Sequence, residues 1–414
     1  MKRRVVVTGM GVFTALGTDV EEFYNNLLNG VSGISTIERF DTAEMSVKIA
    51  GEIKNFDPEK YFERNEAKRL DRFTQYALIA AESAIKDCGM DLNTVDRDRF
   101  AVITASGIGG METWQTNYKV MLEKGPRRVS PLFIPMMISD IAAGRISMKW
   151  DLKGPNYSLT SACASSGHAI GTAYRTIQYG DADFAICGGA EAVITDLAIA
   201  GFANMKALST RNDEPQKASR PFDKDRDGFV MGEGSGMLIL EEYEHAVKRG
   251  AKIYAEMAGI GFSGDAKDIV APDPEGNGAK RAMLAAVNDA GIKPEDIDHI
   301  NTHGTATPTG DYAETAGIKL AFGDHAYKIA INSTKSMTGH LLGAAGAIEL
   351  IGTVKAVQTD TVHPTINLDN QDLPACDLNY TPNKFINRTV KYAISNTFGF
   401  GGHNASILVK KFEG

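Results

Sequence analysis

The strongest constraint on how this chain folds is that it repeats itself. Val7-Thr8-Gly9-Met10-Gly11 is echoed by Met257-Ala258-Gly259-Ile260-Gly261, and Ala84-Ile85-Lys86-Asp87-Cys88-Gly89-Met90 by Ala286-Val287-Asn288-Asp289-Ala290-Gly291-Ile292. Thr104-Ala105-Ser106-Gly107 returns as Asn301-Thr302-His303-Gly304. Ser161-Ala162-Cys163, followed by Gly167-His168 and Gly171, returns as Ser333-Thr334-Lys335, followed by Gly339-His340 and Gly343. Each echo is weak alone; four in one order predict a duplication. The seam is expected near Gly250, giving halves 1–250 and 251–414, with Met111–Trp150 reading as an insertion in the first. Two halves also suit 414 residues, since one core stops growing at roughly 250–300.

Strand and helix patterns alternate along each half. Arg99–Thr104, Phe184–Gly189, Val390–Ser395 and Ala405–Val409 read as strands, and Thr74–Asp87 reads as a helix. The fold class is therefore α/β, with helices covering a buried sheet. Lys2-Arg3-Arg4 before Val5–Phe13 imitates a signal peptide. Three consecutive valines and two glycines instead predict a first strand buried on both faces. The segments after Ser161 and after Ser336 are rich in Gly, Ala and Ser, which predicts two central helices that approach closely between sheets.

Composition removes whole classes of function. A net charge of −8 argues against a partnership with nucleic acid driven by net charge. No apolar run is long enough for a membrane span: Phe184–Phe202 is interrupted by Glu191 and Asp196. Four cysteines without a CxxC pair read as free thiols of a cytoplasmic, reduced protein.

Several positions could carry chemistry. Cys163 stands at the start of a predicted helix, where unpaired N–H groups and the dipole favour a thiolate and a lowered pKa. A small buried hydrophobe is the plainer reading of a lone cysteine. His303 lies in a loop dense in Gly, Thr and Pro at a strand end, where open α/β sites form. His340, in Ser336–His340, is expected near the N-terminus of the second central helix, and Lys335 holds the repeat position of Cys163. Two histidines together with that cysteine favour catalysis. The tail Asn396–Asn404 is rich in glycine, and such a loop could present a backbone N–H to an oxyanion. Gly9-Met10-Gly11 lacks a dinucleotide fingerprint's third glycine, Asp223–Gly234 lacks an EF-hand's twelfth ligand, and the histidines show no metal-ligand spacing.

Taken together, Ser161–Ser166, the His303-Gly304-Thr305 loop, Lys335 with Gly339-His340, Pro221–Gly234 and Phe398–Gly402 resemble the β-ketoacyl-acyl-carrier-protein synthases, and among them the bacterial elongating enzymes. The likeness runs from Val5 to the C-terminus. It implies the thiolase fold, with duplicated halves in a five-layer αβαβα arrangement, and a homodimer. It implies a decarboxylating Claisen condensation in fatty acid elongation, in which a Cys-bound acyl chain and malonyl-acyl carrier protein yield a 3-oxoacyl product two carbons longer. No cofactor is implied; phosphopantetheine arrives on the carrier. The second histidine separates the pattern from initiating enzymes, which carry Asn there, and the Asn396–Asn404 loop lacks the second cysteine of thiolases. His403 departs from many relatives.

The resemblance also implies roles. Cys163 is the nucleophile, His303 and His340 stabilise an enolate oxygen, and Lys335 organises the site electrostatically. The backbone N–H groups of Cys163 and Phe400 hold the tetrahedral oxyanion. Gly399 and Gly401 let Phe400 swing as a gate that opens when the acyl chain is loaded. Thr305 and Thr307 bind pantetheine, and Ile108, Ile134 and Phe202 line an acyl pocket. Asn301, Glu349, Ser395 and Asn396 surround a structural cation. An acidic carrier protein would need a local basic patch. Candidates are Arg64, Lys68, Arg69 and Arg72 on one predicted helix, Arg127 and Arg128, and Lys206 with Arg211. Four rivals remain open at this level: a ketosynthase of a specialised polyketide pathway; a non-condensing relative, either a chain-length factor or a carrier protein decarboxylase, which would lack Cys163; a cysteine thioester hydrolase; and a purely structural or binding protein of thiolase fold.

Overall fold

The computed structural model describes residues 2–413. Its ten-stranded sheet contains β1 (Val5–Thr14), β2 (Phe100–Ala105), β3 (Asn156–Leu159), β4 (Phe184–Glu191), β5 (Gly234–Glu242), β6 (Ala255–Gly264), β7 (His299–Asn301), β8 (Ala330–Asn332), β9 (Tyr392–Gly399) and β10 (His403–Lys410). The spatial order is β8-β7-β9-β10-β6-β1-β5-β4-β2-β3. Outward from the middle, each set of five strands runs first, fifth, fourth, second, third. The two sets meet only along Val5–Val7 of β1 and Ala255–Met257 of β6, paired antiparallel. β1 is buried along its whole length, as its valine run requires.

Helices complete five layers. α1 (Arg72–Cys88) and α4 (Ile141–Trp150) cover the outer face of the first half-sheet. α7 (Asn277–Ala290) and α8 (Pro308–Phe322) cover that of the second. Between the half-sheets lie α5 (Ser165–Gln178) and α9 (Ala345–Thr359), each touching strands of both halves. α2 (Met111–Lys124) packs on α3 (Phe133–Met137), α3 packs on α4, and Gln115 of α2 donates to Asp196 at the start of α6 (Asp196–Asn204).

Local sequence explains these elements. Asp71 caps α1 by accepting from the Phe73 N–H, and Gly89 ends it in a left-handed conformation. The repeated Gly-x-Gly serves helix-on-strand packing. A Cβ on Gly11 would sit 2.1 Å from the Ala80 carbonyl of α1, and one on Gly261 would sit 1.9 Å from the Ala282 carbonyl of α7. In the central layer the Ala347 N–H of α9 donates to Ser166 Oγ of α5 at 3.0 Å, a contact only small neighbours allow.

Two expectations change. Met111–Trp150 is not wholly an insertion: α4 is the crossover between β2 and β3, as α8 is between β7 and β8, so only the part before Ile141 is extra. The second central helix begins at Ala345, not after Ser336. A short turn, Lys335–Thr338, precedes it, and Gly339 at φ +68° breaks the chain direction, so His340 lies in the break.

Candidate active site

Cys163 sits between β3 and α5. Ala162 before it adopts φ +50°, a costly conformation for a residue with a Cβ. The turn delivers Cys163 Sγ to a cavity of about 390 Å³ that also meets His303, from the loop after β7, and His340. One ligand atom from each of the three side chains lies within 4.8 Å of the others. The members of this cluster come from both halves of the chain, Cys163 from the first and the two histidines from the second.

The thiol contradicts one expectation. Burial pushes Cys163 up to about 12, and the opposing pull of the Lys335 charge and of the backbone N–H groups of Phe400 and Cys163 does not overcome it. The side chain is almost dry, and removing water from a thiolate outweighs the position before α5. The resting thiol is therefore protonated.

Both histidines are held neutral. Burial and the Lys335 charge push His303 and His340 well below the usual imidazole value, and His340 adds to the effect on His303. The Leu342 N–H donates to His340 Nδ1 at 3.3 Å, which places the ring proton on Nε2. His340 Nε2 and His303 Nδ1 are buried without a partner. The rings stand nearly perpendicular, 5.3 Å apart. His303 and Gly304 donate their N–H groups to Glu314 at 2.9 and 2.8 Å, and Lys335 Nζ donates to the His303 carbonyl at 2.6 Å. Buried Lys335 also pairs with buried Glu349. Chemically this is a protonated thiol facing two neutral imidazoles, with a fixed positive charge behind them.

Phe400 lies in the hairpin between β9 and β10. A Cβ on Gly399 would fall 3.0 Å from the Cys163 nitrogen, so only glycine lets this hairpin rest against Cys163. Thr305 and Thr307 line the cavity, their hydroxyls 3.1 Å apart, and Phe202 lines it beside Phe229. Ile108 lines both this cavity and a second of about 390 Å³ bounded by Met111, Trp114, Met137, Ile138 and Leu197.

Other expected residues fall elsewhere. Ile134 lines neither cavity: α3 turns it outward, and it is 54% exposed. The basic residues do not share a helix, because one helical turn spans Arg64–Ala67 and the next begins at Arg72. Arg64 pairs with Glu59, Arg72 with Glu112, and Arg211 with Glu214. Lys68, Arg69, Arg127, Arg128 and Lys206 are exposed, and Lys206 stands at the cavity wall. Asn301 Oδ1, Glu349 Oε2 and Ser395 Oγ are buried without hydrogen-bond partners, while Glu349 Oε1 holds the Lys335 ammonium; the three free oxygens form a donor set that fits a hard cation. The Asn396 side chain does not join them, being spent on Ser406 and Glu314. Asp223 is likewise spent, on Arg220 and the N–H groups of Asp225, Asp369 and Asn370.

Sequence reasoning passed over Glu314 and Glu191. Glu314 accepts from the His303 loop and is pushed up to about 7 by burial, against those hydrogen bonds. Its signal was a carboxylate flanked by Ala313 and Thr315 on the buried side of α8.

Family models described as beta-ketoacyl synthase, N-terminal domain and C-terminal domain match residues 2–246 and 254–369. The chain is 50% identical over 412 residues to 3-oxoacyl-[acyl-carrier-protein] synthase 2 of Synechocystis sp., covering 100% of this chain and 99% of the relative. It is 51% identical over 411 residues to the protein of the same name from Staphylococcus aureus, covering 99% of each. Among solved structures, a beta-ketoacyl synthase from Burkholderia phymatum superposes with a TM-score of 0.92 at 36% identity over 100% of both chains. A type II PKS ketosynthase, solved in complex with its acyl-carrier protein and bound to the hexaketide, gives 0.92 at 34% identity, again over 100% of both.

Proposed function

The chain belongs to the β-ketoacyl synthase family, and from that membership we infer how its residues divide the work. It is an acyltransferase that carries out the decarboxylating condensation of fatty acid elongation. Identity near one half to proteins named 3-oxoacyl-[acyl-carrier-protein] synthase 2, against about one third to the polyketide ketosynthase, favours elongation over the polyketide reading.

The observation that carries the mechanism is the meeting of Cys163 with two neutral, buried imidazoles in one cavity. Cys163 sulfur attacks the acyl thioester of the carrier, and the pantetheine thiol leaves with a proton. Malonyl thioester then binds with its carbonyl oxygen facing His303 and His340. Its carboxylate leaves as CO₂, and the electron pair of the broken bond becomes an enolate that the two imidazoles stabilise. The carbanion attacks the acyl carbon, the bond to Cys163 sulfur breaks, and the released thiolate takes up one proton from solvent to restore the resting thiol. The N–H groups of Cys163 and Phe400 hold the oxyanion of both tetrahedral steps. Lys335, fixed by Glu349, holds the histidines neutral. Incubation with acyl- and malonyl-acyl carrier protein, read by mass spectrometry, should give a 3-oxo chain two carbons longer. Release of free acid, with malonyl carrier untouched, would mean a hydrolase.

Pantetheine passes Thr305 and Thr307, while the acyl chain runs past Phe202 and Ile108 toward the second cavity. The Phe400 loop, free to swing at Gly399 and Gly401, opens when the chain is loaded. The halves divide near Gly250, the first carrying the nucleophile and the second the histidines. A cation binds among Asn301, Glu349 and Ser395. A homodimer would cover the unpaired edge of β3 and the exposed Trp114, Tyr118, Leu122, Ile134 and Ile138 beside it. Among the described residues no helix is long and apolar enough to cross a membrane, and the four free cysteines fit a cytoplasmic location.

The acidic carrier docks on Lys68, Arg69, Arg127, Arg128 and Lys206, with Arg64 at the margin. Exposed pairs contribute only ~0.2–1 kcal/mol each, so a combined reversal is required. Changing Lys68, Arg69 and Lys206 to Glu should raise KM for carrier-bound substrates about tenfold by the same measure and spare small thioester mimics. Equal loss on both substrates would place the defect in the fold.

A further inference from the structure

Glu191 is the last residue of β4, fully buried beside the nucleophile. Four donors converge on it. Ser106 Oγ donates to Oε1 at 2.8 Å and the Ile108 N–H to the same oxygen at 3.3 Å. The N–H groups of Gly107 and Gly343 donate to Oε2 at 2.7 and 2.9 Å. Burial raises its pKa above the ordinary carboxylate value, and these bonds oppose that rise without cancelling it. All four partners are donors, and the Ser106 hydroxyl already accepts from the Gly109 N–H, so the ionised form satisfies them.

These partners belong to two functional segments. Gly107 and Ile108 form the partition between the two cavities. Gly343 follows Leu342, whose N–H orients His340. The segments touch at Glu191, where a Cβ on Gly343 would lie 2.1 Å from the Gly107 nitrogen and 2.7 Å from Glu191 Oε2. By strand order β4 corresponds to β9, so Glu191 stands where the second half begins its glycine loop over Cys163.

We propose that Glu191 is a positioning residue, a carboxylate clamp that ties the Ile108 partition to the backbone orienting His340 and thereby sets both acyl-chain selection and His340 alignment. The chain-selection arm rests on the condensation reading; the electrostatic arm does not. Glu191 also places a negative charge near Cys163 that disfavours the thiolate.

The test uses the full-length protein with Glu191→Gln, Glu191→Ala and Ser106→Ala, each checked for fold by thermal melting. An amide keeps one carbonyl oxygen, which stays with the two shorter backbone bonds from Gly107 and Gly343, and the Ile108 N–H loses its acceptor. Relative acylation of Cys163 by short and long acyl-carrier substrates should then change about three- to tenfold, the range one net hydrogen bond covers. The pH profile of Cys163 alkylation by iodoacetamide should move to lower pH, because a neighbouring negative charge is gone. Ser106→Ala should alter chain preference in the same direction and leave the alkylation profile in place, because the charge remains. Glu191→Ala, which empties the clamp, should also lose malonyl decarboxylation. A Gln variant with both chain preference and alkylation profile unchanged overturns the clamp. So does a change in chain preference with an unmoved alkylation profile, which is what general loosening would produce. If the Gln variant does not fold, an unaltered chain preference in Ser106→Ala overturns it. Wild-type protein that takes no acyl group onto Cys163 would sink the condensation reading, while the alkylation shift would still judge Glu191.

Discussion

Alanine at position 163 is expected to leave a folded chain that gains no acyl mass and makes no condensed product. The sulfur is the one atom of this site that can carry the growing chain between the two substrates. Removing a covalent nucleophile costs about 10⁴-fold or more. The fold should survive because Cys163 borders a cavity, and its deletion opens no new void in the layers between the sheets. Intact-mass measurement after incubation with acyl carrier protein, alongside a melting curve, makes the comparison. Condensation by Cys163→Ala near the parent rate would remove the nucleophile from position 163.

His303→Ala and His340→Ala are expected to separate the two half-reactions. Each variant should still acylate Cys163. Each should lose decarboxylation of malonyl carrier by about 10²–10³, the usual cost of one oxyanion donor. Burial and Lys335 push both imidazoles down, so they charge only well below their ordinary value. In the parent protein, decarboxylation should therefore stay level as pH falls from about 8 to about 6, a range that spans the ordinary histidine pKa. A fall centred near the ordinary value would show a histidine that titrates freely. Acylation losses as large as the decarboxylation losses in both variants would end this division of labour.

Much of this was legible in the chain itself. The ordered echoes predicted two like halves, and the Gly-x-Gly echo marks places where backbone must meet backbone. Gly9 and Gly11 against α1, and Gly259 and Gly261 against α7, are local requirements, and a sequence states local requirements directly. The small-residue runs similarly announced α5 and α9. Cys163, His303, His340 and Lys335 could be named because residue type and motif are local as well.

What the sequence by itself determined, then, was the inventory: the order of elements, the faces they bury and the side chains able to do chemistry. The tertiary structure alone decided what those side chains are. The thiol is protonated because the assembled site is dry, which no neighbouring residue in the chain reveals. The proton of His340 sits on Nε2 because one backbone N–H of the break before α9 meets Nδ1. Ile134 faces outward and the basic residues split across two helical segments because chain direction changes at positions that composition does not mark. Glu191 reads in sequence as one more charge near a strand end. Its meaning comes from donors 84 and 152 residues away. Apolar periodicity is written along the chain, whereas desolvation and hydrogen-bond partnership arise only between segments that folding brings together.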